Sequence, residues 1–293
     1  TNSANQGTSM SNISGKFRFY GQSSHASGAP WAGRSALDGV EIMNVANNYL
    51  REHIPDRTRI HYVVTNGGKA PNVVPDFAEV YYYVRNADPK IVVDVMDRVK
   101  LAANGAAMIT GTKVEFEQTG GVYNLLPNDV LGKVMYNSLT QVGGITWTPE
   151  ETKFAQELAK SLPNGGGDLS SVAKIQTYKN ADTSGDAGGG STDVADISWV
   201  TPTVGLSTAT FVPGSAGHSW QNVAAGGMSI GLKGAAVAAK TLSITGAELF
   251  SNPELITQAK AELKERQGAD FQYKAMVGDR KPPLDYRKAG GAE

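Results

Sequence analysis

The 293-residue chain contains no cysteine and only four histidines. It makes no disulfide and offers no thiolate to a metal, so a transition-metal site must draw on His, Asp and Glu. A long apolar run is missing as well: the best stretch, residues 228–247, is broken by Lys233 and Lys240, which argues against a membrane-spanning helix. Lys and Arg number 27 against 28 Asp and Glu, so no overall field draws the chain to nucleic acid or an anionic membrane. There is no GxSxG elbow, phosphate-binding GxxxxGK[ST] loop or HExxH pair, and the serine-hydrolase, nucleotide-binding and zincin readings lose their support. What is present is globular composition, 40% hydrophobic and 19% charged, in a chain long enough for one large domain or two ordinary ones. The expected protein is soluble, with the cytoplasm favoured, and its expected ligand is a small molecule.

Along the chain, KFRFYG at 16–21 reads as a strand and residues 33–53 as a helix, with Ala36, Val40, Met43 and Leu50 near helical spacing. Strands follow at 59–65 and 76–85, joined by the turn-rich NGGKAPNVVP. A helix over 89–108 and a strand over 112–118 complete the order βαββαβ, the ferredoxin-like pattern of two helices on one face of a four-stranded antiparallel sheet. The strand at 59–65 is then an edge with no proline or lysine to block pairing, and a homodimer joined edge to edge is expected.

The remainder differs. Helices are expected at 129–141 and 149–161, then a polar glycine-rich segment at 163–190 read as a mobile loop or insertion, a strand near 203–207, a small-residue helix at 226–250 and a charged helix at 253–267. The 226–250 helix is apolar on most faces and needs cover on several sides. The sheet that covers it is expected to lie outside this sequence.

Four groups of residues could do chemistry. His25, in GQSSHASGAPWAGRSALDG, follows a strand and lies among small residues; it is either a satisfied structural histidine or a neutral imidazole donating to a developing oxyanion. His218, in GSAGHSWQN, is either a hydrogen-bonded loop residue or a metal ligand. Asn72 and Arg85 bracket the third strand, and the planar fork of Arg85 suits a substrate carboxylate. Thirteen residues of straight strand would hold the two roughly 40 Å apart, so either the chain bends at NVVP or they serve different active sites across a dimer. Ser191, Thr192, Asp193 and Asp196 form a hydroxyl and acidic cluster that is either a helix cap or part of a site. His53 and His61 read as structural.

HASGAPWAGRSALDGV, NGGKAPNVVPDFAEVYYYVR, GSTDVADISW and GHSWQ, in this order, resemble the M20 metallopeptidase and amidohydrolase family, and within it the aminobenzoyl-glutamate hydrolase type. The resemblance implies an α/β (α+β) protein with a polar segment at 1–15, a ferredoxin-like lid and dimerisation domain at 16–120, and the C-terminal half of an α/β metallohydrolase catalytic domain at 121–293. It also implies that the N-terminal catalytic half, which carries most of the metal ligands and the general base, is missing. Residue by residue, His25 matches the lid histidine that steadies the oxyanion in the neighbouring subunit, Asn72 and Arg85 match substrate-binding positions, and His218 matches a late metal ligand. Asp193 aligns with an acidic motif residue, with Thr192 where glutamate is more usual.

The activity implied is hydrolysis of the amide bond of an N-acyl amino acid by a homodimer that uses a divalent metal, zinc or manganese, in the complete enzyme. The isolated chain is expected to bind metal weakly or not at all, to be inactive, and to depend on a separate chain or segment for the missing half. The alternative is a non-catalytic dimerisation or small-ligand-binding subunit.

Overall fold

The computed structural model describes residues 1–181, 190–278, 281–282 and 284. The chain falls into two compact units, one of Ser9–Leu125, Ala187–Asp196 and Gln272–Glu293, the other of Thr1–Thr8, Leu126–Asp186 and Ile197–Phe271.

The first unit is built on a four-stranded antiparallel sheet. Strand β1 (Ser11–Tyr20) is followed by α1 (Ala36–Leu50), β2 (Arg59–Asn66), β3 (Phe77–Asn86), α2 (Pro89–Thr110) and β4 (Lys113–Val122), in the spatial order β2-β3-β1-β4. This is the expected βαββαβ order, with β2 at an edge. Strand β1 starts five residues earlier than its apolar alternation indicates. Ser11 Oγ donates to the Val122 carbonyl at 2.8 Å, Ile13 joins the core, and Gly15 lies where any Cβ would overlap the Phe116 ring.

Local chemistry sets the helix ends. Ser35 Oγ accepts from the Asp38 N–H at 3.2 Å to start α1, and Asp88 accepts from the Lys90 N–H, with Pro89 in the first turn, to start α2. Gly111, at φ 64°, ends α2 in the left-handed conformation that glycine adopts without steric cost. Alternation along the strands sends Phe17, Phe19, Val80, Tyr82 and Val84 toward the helices, where they meet Val40, Met43, Val92, Met96 and Val99. Burying each such aliphatic or aromatic side chain contributes about 1.5–3 kcal/mol before entropy is counted. Tyr82 carries its hydroxyl into this core, donating to Asn44 Oδ1 at 2.5 Å and accepting from Asn47 Nδ2 at 3.3 Å.

The other face of the sheet bears the alternate residues. Glu79 on β3 takes Lys16 at 3.0 Å and Arg18 at 2.7 Å, Arg18 also pairs with Glu117, and Tyr20 Oη donates to Glu115 at 3.1 Å. The segment after residue 271 returns to this unit: Gln118 Nε2 donates to the Met276 carbonyl at 2.7 Å and Met276 packs against the core.

The second unit is helical: α3 (Asp129–Val142), α4 (Pro149–Ala159), α6 (Trp220–Gly226), α7 (Ser229–Ser251) and α8 (Pro253–Gln267), with the short α5 (Val194–Ser198) where the chain passes from one unit to the other. Thr148 and Glu151 form a reciprocal capping box on α4, and Glu262 of α8 accepts the Asp129 and Val130 amides that open α3. The helix expected over 226–250 is α7, beginning at Ser229, and a separate short helix, α6, precedes it and ends at Gly226. Around 203–207 there is no strand among the described residues, only an isolated bridge from Ser207 to Ser3. The polar start of the chain is held in place: Asn2 is buried, donates to the Val172 carbonyl at 2.9 Å and accepts the Ala209 amide at 3.0 Å. In the glycine-rich segment, residues 182–189 lie outside the described residues; before them, Leu169–Val172 is a 3-10 turn. Leu232, Leu242 and Phe250 remain exposed on α7. Among the described residues no helix is long and apolar enough to cross a membrane.

Candidate functional site

The His25 loop leaves β1 after Tyr20 and enters α1 at Ala36, and backbone pairing holds it in place. Gln22 and Arg34 exchange N–H···O bonds at 2.8 and 2.9 Å. On its other side the Val74 N–H donates to the Ser24 carbonyl, the Ala26 N–H donates to the Asn72 carbonyl, both at 3.0 Å, and His25 bridges to Val73. Close approach needs small residues: a side chain at Gly21 would overlap the Arg34 carbonyl, and one at Gly33 would overlap Ser24 Oγ.

Within this frame the imidazole orientation is set by the backbone. His25 Nδ1 accepts the Gly28 N–H at 2.9 Å and the Ser27 N–H at 3.2 Å. A nitrogen that accepts two amides carries no proton, so the neutral ring bears its proton on Nε2 and presents it as a donor. The small residues around His25 serve this purpose, since Ser27 and Gly28 turn tightly enough to aim both amides at the ring.

Asn72 therefore belongs beside His25. The chain does bend at NVVP: the Val73 N–H closes a turn on the Ala70 carbonyl, and β3 begins only at Phe77. Arg85 lies near the opposite end of β3, about 26 Å along the strand from Phe77 at ~3.3 Å per residue. Its guanidinium carbon is 5.3 Å from the Tyr83 ring centroid, and its Nε is buried without a hydrogen-bond partner. Directly across the ladder stands Arg59, and the next pair on that face is His61 with Tyr83. Burial first, then the charges of Arg85, Arg51 and Arg59, hold the His61 pKa below its ordinary value. Sequence reading missed Arg59 and took His61 as structural, because the irregular loop between β2 and β3 hides which residues face each other.

His218 belongs to the helical unit. It precedes α6 at φ 59°, the left-handed region that is uncommon outside glycine. Among the described residues no group of three or more His, Asp or Glu side chains is arranged to hold a metal, so the residues present do not fit a complete metal centre. Asp193 sits in the turn before α5, where Thr192 Oγ1 accepts the Val194 N–H at 3.3 Å. The firmly tied acid of this segment is Asp196, whose carboxylate accepts the Tyr123 N–H at 3.1 Å and the Tyr273 hydroxyl at 2.8 Å. Burial first, then this bond to Asp196, push the Tyr273 pKa up to about 12.

Comparison with known proteins shows what these features resemble. Residues 8–108 match the peptidase dimerisation domain of the M20 type. The chain is 35% identical over 274 residues to a p-aminobenzoyl-glutamate hydrolase subunit of Escherichia coli (strain K12), covering 86% of this chain and 57% of that protein. It is 26% identical to a Xaa-Arg dipeptidase of Mus musculus, covering 84% of this chain and 50% of that one. It thus spans about half the length of the curated relatives it matches. The crystal structure of an aminobenzoyl-glutamate utilization protein from Klebsiella pneumoniae shares the fold, with a TM-score of 0.50 and 18% identity over 83% of this chain and 49% of that one. The likeness is carried most directly by residues 8–108, which match the M20 peptidase dimerisation domain.

Proposed function

We propose that the chain is part of a dimeric, metal-dependent M20-type amidohydrolase that hydrolyses the amide bond of an N-acyl amino acid, of which an aminobenzoyl-glutamate is an example. The observation that carries this reading is the His25 ring, whose Nδ1 is occupied by two backbone amides while Nε2–H is left to donate. A neutral donor held in advance of reaction is what a carbonyl oxygen needs as it gains charge in the tetrahedral step.

Dimer geometry follows from β2. Along this edge Val63 and Val64 are 56% and 41% exposed, and on α1 Tyr49 is 67% exposed. Pairing β2 with its copy about a two-fold axis near Tyr62 and Val63 runs the two strands antiparallel. The end that carries His25 and Asn72 then comes beside the neighbour's end that carries Arg59 and Arg85. With strands ~4.8 Å apart, Arg85 lies about 10 Å from the neighbour's β2. One protomer supplies the oxyanion donor and Asn72, and the other grips a substrate carboxylate with Arg85. On this reading the two ends of β3 serve two different sites.

By its resemblance His218 is one ligand of a divalent metal, zinc or manganese, which would activate water when bound. The other ligands and the base lie outside the described residues, whether on a further segment or a separate chain, and the chain alone does not turn over substrate. In the complete enzyme, His25→Ala should lower kcat by about 10²–10³ with KM nearly unchanged, the loss typical of one oxyanion donor; near-normal kcat overturns the reading. A second reading, a non-catalytic dimerisation or ligand-binding subunit, is favoured by the self-sufficient core of the sheet unit. It predicts unchanged hydrolysis in the same assay.

A further inference from the structure

We propose that the cavity between the start of α1 and the β2–β3 loop binds a free α-amino acid with an apolar side chain, its ammonium on Asp38 and its carboxylate on Lys69. The proposal does not depend on the hydrolase reading above.

The cavity has a volume of about 390 Å³ and is lined wholly by the sheet unit, which places it in the size range of small-molecule sites. Leu37, Val73 and Pro75 give it apolar walls, and Ser35, Asp38 and Lys69 bring polar groups to it. Neither His25, Asn72 nor Arg85 lines it. Asp38 and Lys69 carry opposite charges into one cavity, yet among the described residues neither side chain forms an ion pair or a hydrogen bond, with the other or elsewhere. The position of Asp38 in the first turn of α1 suits the helix dipole. That accounts for the acid and leaves the ammonium unexplained. Ser35 Oγ accepts the Asp38 N–H at 3.2 Å, so its own proton is free to go to a ligand.

Opposite charges that share a cavity without meeting suit a ligand that carries both, because each end then forms a charge-assisted hydrogen bond. The side chain of the amino acid lies against Leu37, Val73 and Pro75. An ion with a single charge leaves one side of the cavity unmatched.

The loop that walls the cavity also holds the His25 loop, since the Ala26 N–H donates to the Asn72 carbonyl and the Val74 N–H to the Ser24 carbonyl, both at 3.0 Å. A ligand packed on Val73 and Pro75 restrains the chain on either side of Val74. Occupancy therefore slows the opening of both bonds.

The test follows the backbone amides of the full chain by NMR during titration with L-leucine, with isocaproate, which lacks the ammonium, and with isoamylamine, which lacks the carboxylate. Leucine should shift the Gly67, Gly68 and Ala70 amides saturably and bind at least about tenfold more tightly than either analogue. Asp38→Asn should abolish the preference over isocaproate and bind isocaproate no more weakly than wild type does. Lys69→Gln should do the same with isoamylamine, so retained binding of the analogue shows that the cavity has kept its shape. Saturating leucine should also slow exchange of the Ala26 and Val74 amides by at least about twofold. Leucine bound no more tightly than its analogues, or a preference that survives both substitutions, overturns the proposal. The titration needs neither metal nor turnover, so it can succeed where the hydrolase reading fails, and fail where that reading holds.

Discussion

Replacing Glu79 with glutamine keeps the size of the side chain and removes its charge from the open face of the sheet. The carboxylate takes hydrogen bonds from Lys16 Nζ at 3.0 Å, Arg18 Nε at 2.7 Å and Thr65 Oγ1 at 2.7 Å, with 12% of the side chain exposed. Burial alone raises its pKa, but the bonds from Thr65, Lys16 and Arg18 outweigh that and hold it below the ordinary glutamate value. The folded pKa is thus the lower one, and the unfolded chain binds the proton more readily. The stabilisation is therefore fully present above the unfolded value of ~4.3 and is lost as pH falls through the folded value. Each charge-assisted bond contributes about 1.5–3 kcal/mol. Desolvation, and the partial exposure of Lys16 and Arg18, reduce the three to a net of about 1–3 kcal/mol. Glu79→Gln should lose that amount at pH 7, read as faster amide exchange across β1 and β3 under native conditions. The deficit should shrink as pH falls below the unfolded glutamate value and vanish once it passes below the folded one. A deficit independent of pH, or none at pH 7, refutes the reasoning.

Tyr82→Phe leaves the side-chain amides of Asn44 and Asn47 without their shared hydroxyl and should cost about 1–3 kcal/mol in denaturant unfolding; wild-type stability would mean that the amides find other partners. In the helical unit, Asp129 accepts from Tyr178 Oη at 2.6 Å, the Ala181 N–H at 2.8 Å and Arg266 Nη2 at 2.7 Å. Asp129→Asn should therefore raise amide exchange in α3 and α8, and unchanged exchange would show the network to be dispensable. Nitrogen-15 NMR of the His25 ring at neutral pH should find the proton on Nε2; a protonated Nδ1 contradicts the oxyanion-donor role.

Periodicity made the sheet unit readable. In EVYYYV the valines fall at every fourth position with a tyrosine midway, so Val80, Tyr82 and Val84 share one face of a strand whatever its register. The start of β1 was hidden because SNISG is polar and glycine-rich, and only the overlying Phe116 ring explains Gly15. His25 was visible by its company, but its tautomer depends on two amides whose directions no sequence pattern encodes. Arg59 was invisible for a related reason. Its meaning comes from facing Arg85, and the ladder that pairs them is closed by a loop too irregular to count across. In the helical unit, the small residues around Gly226 hid the short helix Trp220–Gly226 and set the start of the next one three residues early, since it begins at Ser229.

The absence of cysteine makes one crosslinking measurement on the full chain especially clean. The central claim is that β2 pairs antiparallel with its copy and brings one protomer's His25 end to the neighbour's arginine end. With the axis near Tyr62 and Val63, Arg59 lies opposite the neighbour's Asn66, inside the ~7 Å that a disulfide spans between Cα atoms. Two copies of position 59 would be about 24 Å apart, seven residues at ~3.4 Å. Mixing Arg59→Cys with Asn66→Cys protein under mild oxidation should therefore give a disulfide-linked pair, and Arg59→Cys alone should not. A monomer in solution, or linkage of Arg59→Cys to itself, would contradict the account.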